Sequence, residues 1–196
     1  EQFQINYFKK FHSDIYTRVS AGIFEMMFMG IGGEILYRPF FHNFGIGAEI
    51  WDVKQRDYKG RLGTLDYSTL TGHINLFYHE PNTQILFAVK GGRFLAKDSG
   101  INFDFSRTFK TGLRIGAYFS RTDISRFEFG EGSFDKGFYF YIPLELFFNS
   151  YSKRKTAFGI RPVTRDGAAY LNTAMELWGV TEQAHYNNLF KDIDDF

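Results

Sequence analysis

The chain contains no cysteine, which excludes a disulfide framework and any zinc site built on thiolates. That absence fits an oxidising envelope compartment. Proline is scarce, at 4 in 196 residues, and the net charge is only +1. Near-neutrality removes any bulk electrostatic case for nucleic acid as a partner. No stretch of about 18 uninterrupted apolar residues occurs, so no membrane helix is predicted. The nearest approach, Ala21 to Leu36, is broken by Glu25 and Glu34. The opening Glu1-Gln2-Phe3-Gln4 lacks the basic and apolar regions of an export leader. An exported form would need its leader already removed, or the chain would be an internal piece of a longer one.

Aromatic residues are abundant, at 20% with 25 Phe and 12 Tyr, and 20 residues are Gly. This mixture suits strands and tight turns; it is neither disordered nor coiled coil. Alternate residues from Phe134 to Phe148 read Phe134, Lys136, Phe138, Phe140, Ile142, Leu144, Leu146 and Phe148. The intervening face, Gly137, Tyr139, Tyr141, Pro143, Glu145 and Phe147, is mixed. A period of two is the pattern of a β-strand, and an apolar face this long suits a strand crossing lipid. The slightly negative mean hydropathy is no objection, because a barrel hides its apolar residues in alternate positions.

The alternation recurs over Ile15–Phe24, Ile31–Phe40, a strand from Phe44, Thr69–His79, Ile85–Val89, Ile101–Ser106, Leu113–Ser120 and Thr156–Val163. Nine or ten strands joined as successive hairpins are predicted. The fold class is therefore all-β: an antiparallel up-and-down transmembrane β-barrel, closed on itself or part of a larger one. Segment 1–14 is a lead-in with room for one short strand, 15–165 is the barrel, and 166–196 is an irregular or helical tail at one mouth. Leu171, Met175, Trp178, Ala184, Leu189 and Phe190 carry the loose helical spacing of that tail. The polar stretches 55–68 and 121–133 are predicted as long loops on the outer side of the membrane. Gly91-Gly92 marks a bulge or a close backbone approach.

One face of these strands is apolar and is predicted to face lipid: Ile46, Ile74, Phe103, Ile115, Phe138, Phe140, Ile142, Leu144 and Leu146. The other face is predicted to line the interior with Arg18, Glu34, Arg38, Glu49, His73, Asn75, Asp104, Arg114, Tyr118, Glu145 and Arg161, joined by Tyr16, Thr71, Lys90 and Ser106. Both charge signs are present. In a small closed barrel these groups would pair with one another and fill the interior. In a larger one they would line a passage whose mixed polar and aromatic walls suit sugars.

Catalytic and metal patterns are thin. His73 and His79 lack a third ligand at a recognisable spacing, so no metal and no cofactor are expected. Ser106, His73 and Asp104 are the residue types of a hydrolase triad, but Asp104 and Ser106 are also simply the polar face of one strand. The acidic run Asp123, Glu128, Glu131 and Asp135 reads as a solvated loop, and Lys153-Arg154-Lys155 and Arg56–Arg61 as soluble turns. Gly45-Ile46-Gly47 lacks the context of a nucleotide loop.

Several stretches resemble a known family. They are Gly32-Gly33-Glu34-Ile35-Leu36-Tyr37-Arg38-Pro39-Phe40, Val53-Lys54-Gln55-Arg56-Asp57, Leu70-Thr71-Gly72-His73, Glu128-Phe129-Gly130-Glu131-Gly132-Ser133-Phe134-Asp135-Lys136-Gly137 and Thr164-Arg165-Asp166-Gly167. Over roughly residues 20–170 the chain resembles the YjbH family of exopolysaccharide-biosynthesis outer-membrane proteins, which takes in GfcD-like group 4 capsule proteins. The resemblance implies a C-terminal barrel portion of a longer protein in the Gram-negative outer membrane. Its implied partners are outer-membrane lipids and lipopolysaccharide, polysaccharide-export machinery and the polysaccharide itself. It implies a passage or docking scaffold, and no catalytic residues come with it. The alternatives are an outer-membrane barrel enzyme acting on lipid or glycan, and a soluble β-barrel binding an apolar ligand.

Overall fold

The computed structural model describes residues 2–58, 63–125, 134–147, 155–161, 167–182 and 185. Among these, ten strands form one antiparallel sheet in the order of the chain. They are β1 (Phe3–His12), β2 (Ile15–Ile23), β3 (Phe28–Tyr37), β4 (Phe44–Arg56), β5 (Thr64–Glu80), β6 (Ile85–Arg93), β7 (Ser99–Thr108), β8 (Arg114–Thr122), β9 (Asp135–Pro143) and β10 (Lys155–Ile160). One short helix, α1 (Leu177–Glu182), follows. The all-β, up-and-down reading holds, and the lead-in segment supplies a ten-residue strand. The sheet is not closed: β1 and β10 are its two edges.

Two local expectations are corrected, and a third, which offered two alternatives, is decided. Both ends of the stretch 55–68 are strand, since β4 runs to Arg56 and β5 starts at Thr64. Its polarity misleads because outward residues such as Lys54, Asp66 and Ser68 sit on a long hairpin exposed to solvent on that face. The apolar run 138–148 is strand only to Pro143; Leu144–Leu146 is a 3₁₀ turn closed by the Phe147 N–H on the Leu144 carbonyl. Proline lacks the N–H that would continue the ladder, so the strand stops there. Leu144 and Leu146 therefore lie off the strand, and Phe148 lies outside the described residues. Finally, Gly91-Gly92 carries no bulge, because pairing on both sides runs through it unshifted. The close approach is real: a Cβ on Gly92 would strike the Gly72 carbonyl.

The sheet curls. Gln4 on β1 bonds to Thr173, and Lys90 on β6 pairs with Glu176. Residues 173–178 alone meet Gln4 on β1, Arg18 on β2, Glu34 on β3, Phe77 on β5 and Lys90 on β6, and one cavity is lined by this segment together with residues of β3 through β9. The inner face of the curl is thus wrapped around the segment 167–182. The outer face carries exposed apolar side chains along its length, among them Ile46, Ile74 (63% exposed) and Phe138 (60%). Phe103, Ile115, Phe140 and Ile142 share that face and are half-buried by their neighbours. No described helix is long and apolar enough to cross a membrane, which leaves crossing by strands untouched.

Candidate functional site

Along each strand the inward positions alternate with the apolar outer ones, and the register stacks them into rows across the sheet. One row runs Arg18, Glu34, Glu49 and His73 on β2 to β5. Arg18 Nη2 lies 3.1 Å from Glu34 Oε2, with both side chains buried. His73 Nδ1 lies 3.3 Å from Glu49 Oε1, and Trp51 Nε1 donates to the other Glu49 oxygen at 3.0 Å. A second row runs Asn75, Lys90, Asn102, Ser120 and Asp135 on β5 to β9.

The segment 167–182 threads the inside of the curl and meets these rows, and His185 lies at its far end. At the rim formed by the β2–β3 and β6–β7 connections, the Ala168 N–H donates to Asp98 and the Leu95 N–H to the Ala169 carbonyl. There Leu171 and Ala169 pack on Phe24, Trp51, Val53 and Leu95. Midway, Thr173 accepts from Arg18, and the backbone N–H of Leu177 donates to both Glu34 oxygens at 3.1 and 3.0 Å. A carboxylate at the first residue of α1 satisfies an amide that the helix itself cannot. Glu176 pairs with Lys90. Farther along, Trp178 stacks on Phe77 with centroids 4.5 Å apart and planes 12° from parallel. The Arg38 guanidinium lies 3.7 Å from the centre of the Trp178 ring and donates to the Trp178 carbonyl and Thr181 hydroxyl, each at 2.9 Å. At the opposite rim His185 Nε2 donates to the Pro39 carbonyl at 3.3 Å. The tail is therefore not at one mouth: its described part spans the interior from rim to rim.

Burial sets the ionisation of the groups flanking this segment. It lowers the Arg38 guanidinium to about 10 and raises the Glu25 carboxyl above its ordinary range. Burial, reinforced by nearby Arg38, lowers the His185 imidazole.

The filling is one-sided. Between the segment and the sheet lies a cavity of about 1310 Å³ that reaches Phe28 on β3 but is walled chiefly by β6–β9, with Asn102, Asp104, Arg114, Tyr118, Tyr139 and Tyr141 in its lining. Tyr139 donates to Asp104 at 2.7 Å, and Arg114 Nε donates to Ser106 at 3.0 Å. Tyr118 bonds to Asp135 and Arg161. Its ring and that of Tyr139 lie over Gly137 and Gly116, their register partners, where a Cβ would collide with the ring.

Every predicted interior residue that is described lies on the inner side, with Arg38 just past the end of β3. The side chain of Glu145 is outside the described residues, as are Glu128, Glu131, Lys153, Arg154, Ala184, Leu189 and Phe190. Ser106, His73 and Asp104 are not brought together as a triad; each is engaged elsewhere, with Arg114, Glu49 and Tyr139 respectively. Among the described residues no group of three metal-binding side chains forms. The sequence reading missed the inward role of Thr173, Glu176, Leu177, Trp178 and His185. The signal available for it was that Lys90 has only Asn75 and Asn102 as strand neighbours and Arg38 sits past the end of β3, so both cations call for acceptors from elsewhere.

Together these features define a curled antiparallel sheet with an apolar outside and an interior partly filled by its own chain. Residues 1–183 match the family YjbH, described as "Exopolysaccharide biosynthesis protein YbjH". The chain is 36% identical over 188 residues to the "Uncharacterized lipoprotein YjbH" of Escherichia coli (strain K12). That match covers 94% of this chain and 27% of the relative, so the chain spans about a quarter of that protein's length. No solved structure matches. The chain belongs to the YjbH family.

Proposed function

We propose that this chain forms part of the wall of an outer-membrane β-barrel in an exopolysaccharide or capsule secretion system, acting as a partly occluded passage or docking scaffold. The observation that carries the reading is the outer face. Exposed Ile46, Ile50, Ile74, Phe87 and Phe138 form a band on the side away from the buried charges. Water-soluble proteins rarely leave a contiguous apolar patch larger than a few hundred Å² uncovered, whereas lipid accommodates such a band directly. Membership of a family described by exopolysaccharide biosynthesis supports the process, and the lipoprotein name of the E. coli relative supports an envelope location. The open edges β1 and β10 suit a wall completed by further strands. Its partners are then outer-membrane lipids and lipopolysaccharide on the outside, and export proteins and polysaccharide at the rims and interior.

The reading is non-enzymatic. His73, Ser106 and Asp104 are each held by structural partners, so the interior polar groups hold the threaded segment and line the cavity instead of acting on a bond. Deleting the gene in its native cell and measuring surface polysaccharide tests the proposal. Loss of polysaccharide, restored by the wild-type chain in detergent-extractable outer-membrane form, is the expected result. Unchanged polysaccharide, or a chain that partitions entirely with soluble protein, refutes it.

A further inference from the structure

We infer that the unfilled half of the interior binds a segment of an uncharged polysaccharide, laid along the wall formed by β8 and β9. The inference rests on the secretion reading for the source of that polymer, but the site is argued from its own walls. At about 1310 Å³ the cavity exceeds the roughly 300–1,000 Å³ of a usual small-molecule site, so it has room for several units of a chain. Tyr118 on β8 and Tyr139 and Tyr141 on β9 face into it. Two of these rings are seated on glycine backbone, which fixes their planes, while Tyr141 remains 41% exposed within the cavity wall. Its ring is a stacking platform with an apolar face and a polar edge, which matches the apolar face and hydroxyl rim of a pyranose. Asn102 and Ser120, bonded to each other at 2.8 Å, retain capacity for further bonds to hydroxyls.

Charge decides the class of sugar. The lining bases are Lys90, Arg114 and Arg161, and carboxylates outnumber them five to three. Each base already has a carboxylate beside it: Lys90 is paired with Glu176, Arg114 lies near Asp104 and Arg161 near Asp135. A uronate or phosphate group entering this cavity would meet net negative charge and give up its hydration without a matching cation. A neutral glycan meets no such opposition, and carboxylates such as Asp104 accept hydrogen bonds from its hydroxyls.

The test is isothermal titration of the intact polypeptide in detergent with cellohexaose, maltohexaose and laminarihexaose, and with hexagalacturonate as the acidic probe. At least one neutral hexamer is expected to bind about tenfold more tightly than the acidic one. Tyr141→Ala is expected to weaken that binding about fivefold, with Tyr141→Phe close to wild type. Folding of each variant is checked by heat-modifiable migration. Binding of none of the neutral hexamers by folded protein, equal or tighter binding of hexagalacturonate, or indifference to Tyr141→Ala overturns the inference. The polysaccharide assay on the deletion strain separates the two claims. Lost polysaccharide with no neutral binding removes only this inference, and unchanged polysaccharide with neutral binding removes only the secretion reading.

Discussion

Arg18 and Glu34 are register partners on β2 and β3, 3.1 Å apart, and neither side chain has more than a trace of solvent contact. The pair does more than join two strands. Arg18 donates onward to Thr173, and Glu34 accepts from the Leu177 backbone, so the pair holds the threaded segment at its midpoint.

Breaking that pair on one side leaves a buried charge uncompensated. Glu34→Gln is expected to destabilise the fold by about 3–5 kcal/mol, and the Arg18→Met, Glu34→Leu double variant by much less. Urea unfolding in detergent, followed by intrinsic fluorescence, measures both. A single variant as stable as wild type would show that the pair is solvated.

Trp178 anchors the far half of the segment. Trp178→Ala removes the stack on Phe77 and the Arg38 contact and is expected to cost about 3–5 kcal/mol of docking. Gly45→Ala should mimic it from the sheet side, since its Cβ would lie 2.7 Å from the indole. Limited proteolysis reads the outcome: rapid cleavage within 167–185 is expected while the strand content seen by circular dichroism persists. Equal protease resistance in both variants would contradict the anchoring role.

Docking at the second rim should depend on pH through His185. Burial and Arg38 hold its imidazole below the ordinary value of about 6.5. The undocked state therefore takes up its proton first, and docking weakens as pH falls through that value, levelling off below the depressed one. Protection factors at 167–182, that is, exchange corrected for its intrinsic pH dependence, are expected to fall as pH drops from 7.5 to 5.5 in wild type. His185→Gln should flatten the dependence; an unchanged profile in that variant would assign it to another group.

Much of the strand architecture was legible because alternation survives even in a long polar hairpin, and the inner and outer faces followed from it residue by residue. Three features were not. Pro143 interrupts an apolar alternation that continues on paper, so the pattern overruns the strand. The polar residues 54–56 and 64–68 satisfy the statistics of a loop while they stand in β4 and β5. The threaded segment was hardest, because its partners are spread over strands far away in sequence. Thr173 and Arg18 are 155 positions apart, and Leu177 and Glu34 143. Neither local periodicity nor composition carries such pairings; only the unbalanced inner charges hint at them.

The central claim is that the apolar face meets lipid while the opposite face encloses polar groups. The natural absence of cysteine makes single-cysteine spin labelling direct. Labels at Ile74 and Phe138 on the outer face, and at Asn102 and Tyr141 on the inner face, would be compared in liposomes for relaxation by oxygen and by a water-soluble nickel chelate. Oxygen should dominate at Ile74 and Phe138, and the nickel chelate at Tyr141, with Asn102 less accessible to oxygen than either outer site. Nickel-dominated relaxation at Ile74 and Phe138 would contradict the claim outright.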